Sequence, residues 1–66
     1  MAVTKVGQLL SDFLDQSKAD EATKTIAFIT VGSEEDRRLK MCRYLADNED
    51  ATGEEILAEA RRIAGR

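Results

Sequence analysis

Apolar residues recur along the first part of the chain at three- and four-residue spacing: Val6, Leu9, Leu10, Phe13 and Leu14 form one stripe, with Lys5, Gln8, Ser11, Asp12, Asp15 and Gln16 opposite. This predicts an amphipathic helix over residues 4–17. The polar stretch Lys18-Ala19-Asp20-Glu21-Ala22 carries no stripe and reads as a frayed helical end or a short linker. After it the periodicity changes. Thr25-Ile26-Ala27-Phe28-Ile29-Thr30-Val31 is dense in β-branched and aromatic residues, which predicts a strand that Gly32 ends.

Two further helices follow. Ser33 is placed to cap the second, whose first turn holds Glu34, Glu35 and Asp36 at the positive end of the helix dipole. Its apolar side is Leu39, Cys42, Leu45 and Ala46, and the polar run Asp47-Asn48-Glu49-Asp50 should stop it. Thr52-Gly53-Glu54-Glu55 has capping-box spacing and opens the third helix, with a stripe of Ile56, Leu57, Ala60, Ile63 and Ala64. Arg61, Arg62 and Arg66 then fall near the negative end of its dipole. The expected fold is mostly α with one short strand, in the order helix, strand, helix, helix.

A single strand cannot pair its own backbone groups, and unpaired N–H and C=O groups in an apolar setting are costly. The simplest source of a matching strand is a second copy across a two-fold axis. The sequence therefore predicts an intertwined homodimer with a two-stranded antiparallel ribbon in which Ile26, Phe28, Ile29 and Val31 carry the pairing. Both faces of that strand are apolar, as in strands covered on both sides. The N-terminal helix is the element available to cover the second face.

Strand, capped helix, polar turn and helix opened by Thr52-Gly53-Glu54-Glu55-Ile56-Leu57-Ala58-Glu59-Ala60 is an order that resembles the ribbon-helix-helix DNA-binding family over Lys24 to Ala64. The resemblance divides a single domain, residues 1–66, into an N-terminal extension (1–23) and a ribbon-helix-helix-like unit (24–66). It implies a ribbon in the DNA major groove, four helices forming the dimer core, and a role as a transcriptional repressor or antitoxin. On the strand itself, only Lys24, Thr25 and Thr30 carry groups that hydrogen-bond base edges.

With 66 residues the chain is one domain, and a core this small contributes only about 3 to 5 kcal/mol unaided. A lone cysteine, Cys42, rules out an internal disulfide, and without histidine no zinc-binding pattern arises. Cys42 reads as a small buried apolar side chain. Dimerisation is the remaining source of stability, and no metal or small-molecule cofactor is expected. A net charge of −3 and a pI near 4.8 argue against broad attraction to phosphate backbones. No stretch is long and apolar enough for a membrane span and the start of the sequence lacks a signal-peptide pattern, so a cytoplasmic protein is expected.

The candidate binding surface lies on the second predicted helix, where Arg37, Lys40 and Arg43 share an arc beside Met41 and Tyr44, with Arg38 adjoining. Together with Lys24 these side chains suit either phosphate contact or a protein interface. The other reading of that arc is a solvated face with Met41 and Tyr44 packing inward. Acidic residues around 47–59 do not follow a calcium-loop order. No nucleophile–base pair and no phosphate-cradling loop occurs, so catalysis is not expected. Two functions remain: a homodimeric regulator that binds DNA, or a protein-binding inhibitor or adaptor, of phage or plasmid type, acting through an exposed helical face.

Overall fold

The structure, a computed structural model, describes residues 5–65. Four helices account for most of them: α1 (Lys5–Gln16), α2 (Glu21–Val31), α3 (Glu35–Asp47) and α4 (Gly53–Ile63). No strand occurs among the described residues. The segment expected to form the ribbon is α2, so neither the strand nor the ribbon-helix-helix fold is present.

The reason lies in the same backbone requirement that called for a second strand. A helix pairs its N–H and C=O groups within the segment and needs no partner strand. Its ends are well defined. The Asp20 carboxylate accepts a bond from the Thr23 N–H at 2.8 Å, and Gly32, at φ 83°, donates its N–H to the Phe28 carbonyl at 3.3 Å. Thr25 turns its hydroxyl onto the Glu21 carbonyl at 3.0 Å, a bond that suits a threonine within a helix. Ala27 and Val31, four residues apart, reach the core and are fully buried. Packing on this scale overrides a β-propensity spanning only about 1 kcal/mol.

The residues assigned to the ribbon consequently separate around α2. Val31 is buried and Phe28 half-buried, while Ile26 and Ile29 face outward, 48% and 71% exposed. Nor does α1 cover a ribbon: it packs chiefly on α3 and touches α2 lightly. Leu10 and Leu14 supply its buried side, Phe13 is half-buried, and Leu9 remains 45% exposed. Of the range expected for this helix, Thr4 lies outside the described residues.

Around the bundle the order is α1, α3, α4, α2, with α2 closing against α1. Phe13 and Gln16 at the end of α1 share a hollow with Leu45, Ala46 and Asn48 at the end of α3, so these two helices run the same way. Helices α2 and α4 do likewise. Their starts meet so closely that a Cβ on Gly53 would sit 3.2 Å from the Thr23 methyl, tighter than ordinary van der Waals contact. Leu10, Leu14, Val31, Met41, Leu45 and Ile56 fill the centre, together with the fully buried Ala27 and Ala60. The radius of gyration, 10.5 Å, matches the roughly 11 Å expected of a folded chain of this length.

Helix α3 starts one residue later than its sequence suggests. Glu34, not Ser33, occupies the N-cap, with no side-chain capping bond. Arg38 fastens this turn instead, its Nε donating to the Gly32 carbonyl at 2.9 Å while the guanidinium lies 5.1 Å from the Phe28 ring centre. The α4 capping box forms as its spacing predicts: the Glu55 N–H donates to Thr52 Oγ1 at 3.2 Å and the Thr52 N–H to Glu55 Oε1 at 2.8 Å.

Candidate interface groove between α3 and α4

Helical spacing sets Lys40, Arg43, Tyr44 and Asp47 along one side of α3. The antiparallel neighbour α4 brings Glu59, Arg62 and Ile63 opposite them, and Asn48 closes the end. Together they line a hollow of about 440 Å³. Met41, read from the sequence as a neighbour of the basic arc, points the other way and is fully buried in the core.

Tyr44 is the half-buried centre of this groove. Burial, and then the charges of Glu55 and Glu59, hold its phenol above the ordinary value of 10.0. Its hydroxyl therefore keeps its proton at neutral pH and is a hydrogen-bond donor to whatever enters. The Asn48 amide donates to the Tyr44 carbonyl at 2.9 Å and finishes the last turn of α3. On the α4 side Arg62 grips the Glu59 carboxylate with two nitrogens, Nε at 3.1 Å and Nη2. That pairing raises the Arg62 pKa and fixes the guanidinium plane on the groove wall.

Lys40 and Arg43 are different. Both are exposed, and neither has an ion pair among the described residues. They line the hollow beside Tyr44 as two exposed cations.

The remaining sequence candidates go elsewhere. Arg37 lies further toward the start of α3 and pairs with Glu34 at 3.5 Å. Arg38 is turned inward as the clamp on the α2–α3 turn. Lys24 sits across the molecule, its side chain only 16% exposed, donating to the Asp15 carbonyl at 3.2 Å and pairing with Glu21 at 3.5 Å. The six polar candidates thus resolve into one cluster of three, Lys40, Arg43 and Tyr44, and three residues tied to local structure. Asn48, Glu59 and Arg62 escaped sequence reasoning. The Glu59–Arg62 spacing of three was a visible signal for the ion pair, but only the α3–α4 packing sets it opposite Tyr44.

Cys42 is buried, and burial pushes its thiol above the ordinary 9.0. A neutral thiol there packs as a small apolar group. No cluster of three or more metal-ligating side chains occurs among the described residues. No helix among them is long and apolar enough to cross a membrane. Comparison with protein-family models, with curated proteins and with solved structures finds no match, and the functional reading rests on the groove itself.

Proposed function

We propose that this chain is a non-catalytic protein-binding adaptor or inhibitor that receives a single carboxylate side chain of its partner in the α3–α4 groove. One observation carries the reading: Lys40 and Arg43, exposed and without ion pairs among the described residues, line the groove together beside the half-buried, protonated Tyr44. Arg and Tyr dominate the energetics of protein interfaces because they combine a large contact area with directional hydrogen bonds. A carboxylate entering the groove meets two cations and a phenolic donor. Asp47 and Glu59 on the same walls restrict the groove to a single carboxylate beside Lys40 and Arg43, and with the net charge of −3 they oppose a polyanion such as a phosphate backbone. This favours a protein over a nucleic acid.

The test begins with isolation of the partner from the native host, followed by reconstitution of the two purified proteins in a calorimeter. Tyr44→Ala and Arg43→Ala should each weaken the complex by about 2 kcal/mol, roughly thirtyfold. Arg61→Ala, at an exposed position of α4 that does not line the groove, should leave affinity unchanged. A complex indifferent to both groove substitutions would refute the assignment. The chain should also fail to retard duplex DNA at low salt.

A further inference from the structure

We propose that the outward face of α2 is the seat of a second copy of this chain, the two α2 helices packing antiparallel across a two-fold axis. At 100° per residue, Ala22, Thr25, Ile26 and Ile29 share an arc directly opposite the buried Ala27 and Val31. All four are exposed, Ile29 at 71% and Ile26 at 48%. A helix apolar on both its inner and outer faces is one that is covered on both.

Charge selects the occupant. The chain is 35% charged with a net −3, so most ways of bringing two copies together oppose like charges. The arc of Ala22, Thr25, Ile26 and Ile29 carries none. It can meet itself without that penalty, and an antiparallel arrangement sets the positive end of each helix dipole beside the negative end of the other. A two-fold axis between Ile26 and Ile29 places each isoleucine against the other residue of the pair on the facing helix.

The surface extends beyond the helix. Ile29 is also a wall of a groove between α1 and α2, about 220 Å³, shared with Leu14 and Phe28 and bordered by the charged Asp15, Glu21 and Lys24. That is smaller than the roughly 300–1,000 Å³ of small-molecule sites, and suits a protruding side chain. A helix of 11 residues is about 16 Å long, so this stripe and groove supply a few hundred Å² per copy, against the roughly 800 Å² per partner of a stable interface. The dimer is therefore of the weak, exchanging class.

The core shows what such pairing adds. Among the buried core side chains of the described residues, Ala19, Ala27, Ala51 and Ala60 contribute little apolar area, and covering Ile26 and Ile29 supplements them. Because α2 and α3 occupy diagonal corners of the bundle, pairing through α2 leaves the α3–α4 groove of each copy open. The inference does not depend on what that groove binds.

Sedimentation equilibrium from about 10 μM to about 1 mM spans the range where a weak dimer fills. The average mass should climb from 7.3 kDa toward twice that value. Ile29→Glu should remain monomeric throughout with an unchanged helical circular dichroism spectrum, a loss of at least tenfold in self-affinity. As a second probe, Ile26→Cys and Ile29→Cys chains mixed in equal amounts should cross-link to one another under oxidised glutathione, while Glu54→Cys on α4 should form no disulfide-linked dimer. The natural Cys42 is buried and stays silent. A mass fixed at 7.3 kDa at every concentration overturns the proposal. So does an Ile29→Glu protein that associates as readily as the natural chain, which would locate the contact elsewhere. Should the natural chain stay monomeric while Ile29→Glu abolishes capture of a different protein, the face belongs to that protein and the self-pairing is wrong.

Discussion

Helices α2 and α4 are each 11 residues long, each opened by a side-chain cap, and packed against one another, yet only one of them is visible in the sequence. In α4 every signal agrees: capping box, carboxylates in the first turn, arginines in the last, and an apolar stripe on one side. Helix α2 offers only its ends. Between Asp20 and Gly32 its charged residues are Glu21 and Lys24, and the rest alternates alanine and threonine with isoleucine, phenylalanine and valine. The comparison teaches that a helix with one wet face announces its periodicity, whereas a helix with two apolar faces hides it. The hidden period is itself information, because it marks a surface meant to be covered twice.

The largest effect that should separate the two helices is on stability. Ile56 of α4 is fully buried, and Ile56→Ala should cost about 2–5 kcal/mol by urea unfolding. Ile29→Ala on α2, measured in dilute solution where the chain is monomeric, should stay within about 0.5 kcal/mol of the natural protein. Equal losses at the two positions would mean that α2 faces the other way.

Next come the caps. Thr52→Ala removes the hydroxyl that holds the Glu55 N–H and should cost about 1 kcal/mol. On α2 the corresponding group is charged. Hydrogen bonds from the Thr23 backbone and then its side chain hold the Asp20 carboxyl below its ordinary 3.8. With the folded pKa depressed, its contribution is complete above pH 3.8 and fades as the pH falls through the folded value. Asp20→Asn, which keeps a capping oxygen but does not titrate there, should flatten that part of the acid-stability curve. Thermal melts at stepped pH would show it, and an unaltered slope would remove Asp20 from the account.

How much could be read in advance follows from the same contrast. The stripes of α1 and α4, the turn at Asp47–Asp50 and the Thr52 capping box were all legible, because each is a local pattern whose physics acts within a few residues. In α2 the strong local cue, β-branched residues in a run, is a weak preference that burial of Ala27 and Val31 overrides. The Gly32 stop was in view, but a Gly also ends strands, and Asp20 read as part of a polar linker and not as a cap. For the groove, α-helical spacing put Arg37, Lys40 and Arg43 on one arc beside Met41 and Tyr44. The packing leaves Lys40, Arg43 and Tyr44 on the hollow while Arg37 pairs with Glu34 and Met41 enters the core. Spacing could not foresee that Arg38, on the same helix, would turn back to the Gly32 carbonyl, since that acceptor exists only because the chain ends a helix there. Glu59 and Arg62 became part of the site through tertiary packing alone.

The smallest contrast lies in binding. Substitutions on α3, Tyr44→Ala and Arg43→Ala, should weaken partner capture and leave self-association intact, while Ile29→Glu should do the reverse. Loss of both functions from one surface would merge two faces that the bundle holds at opposite corners.

The most direct measurement is an isotope-filtered nuclear Overhauser experiment at millimolar concentration, on a mixture of labelled and unlabelled chains. Intermolecular contacts between the Ile26 and Ile29 methyl groups, with helical carbon shifts through Thr25–Val31, are the predicted result. Extended shifts over that segment, or methyl contacts between copies at the α3–α4 groove and none at α2, would contradict the account.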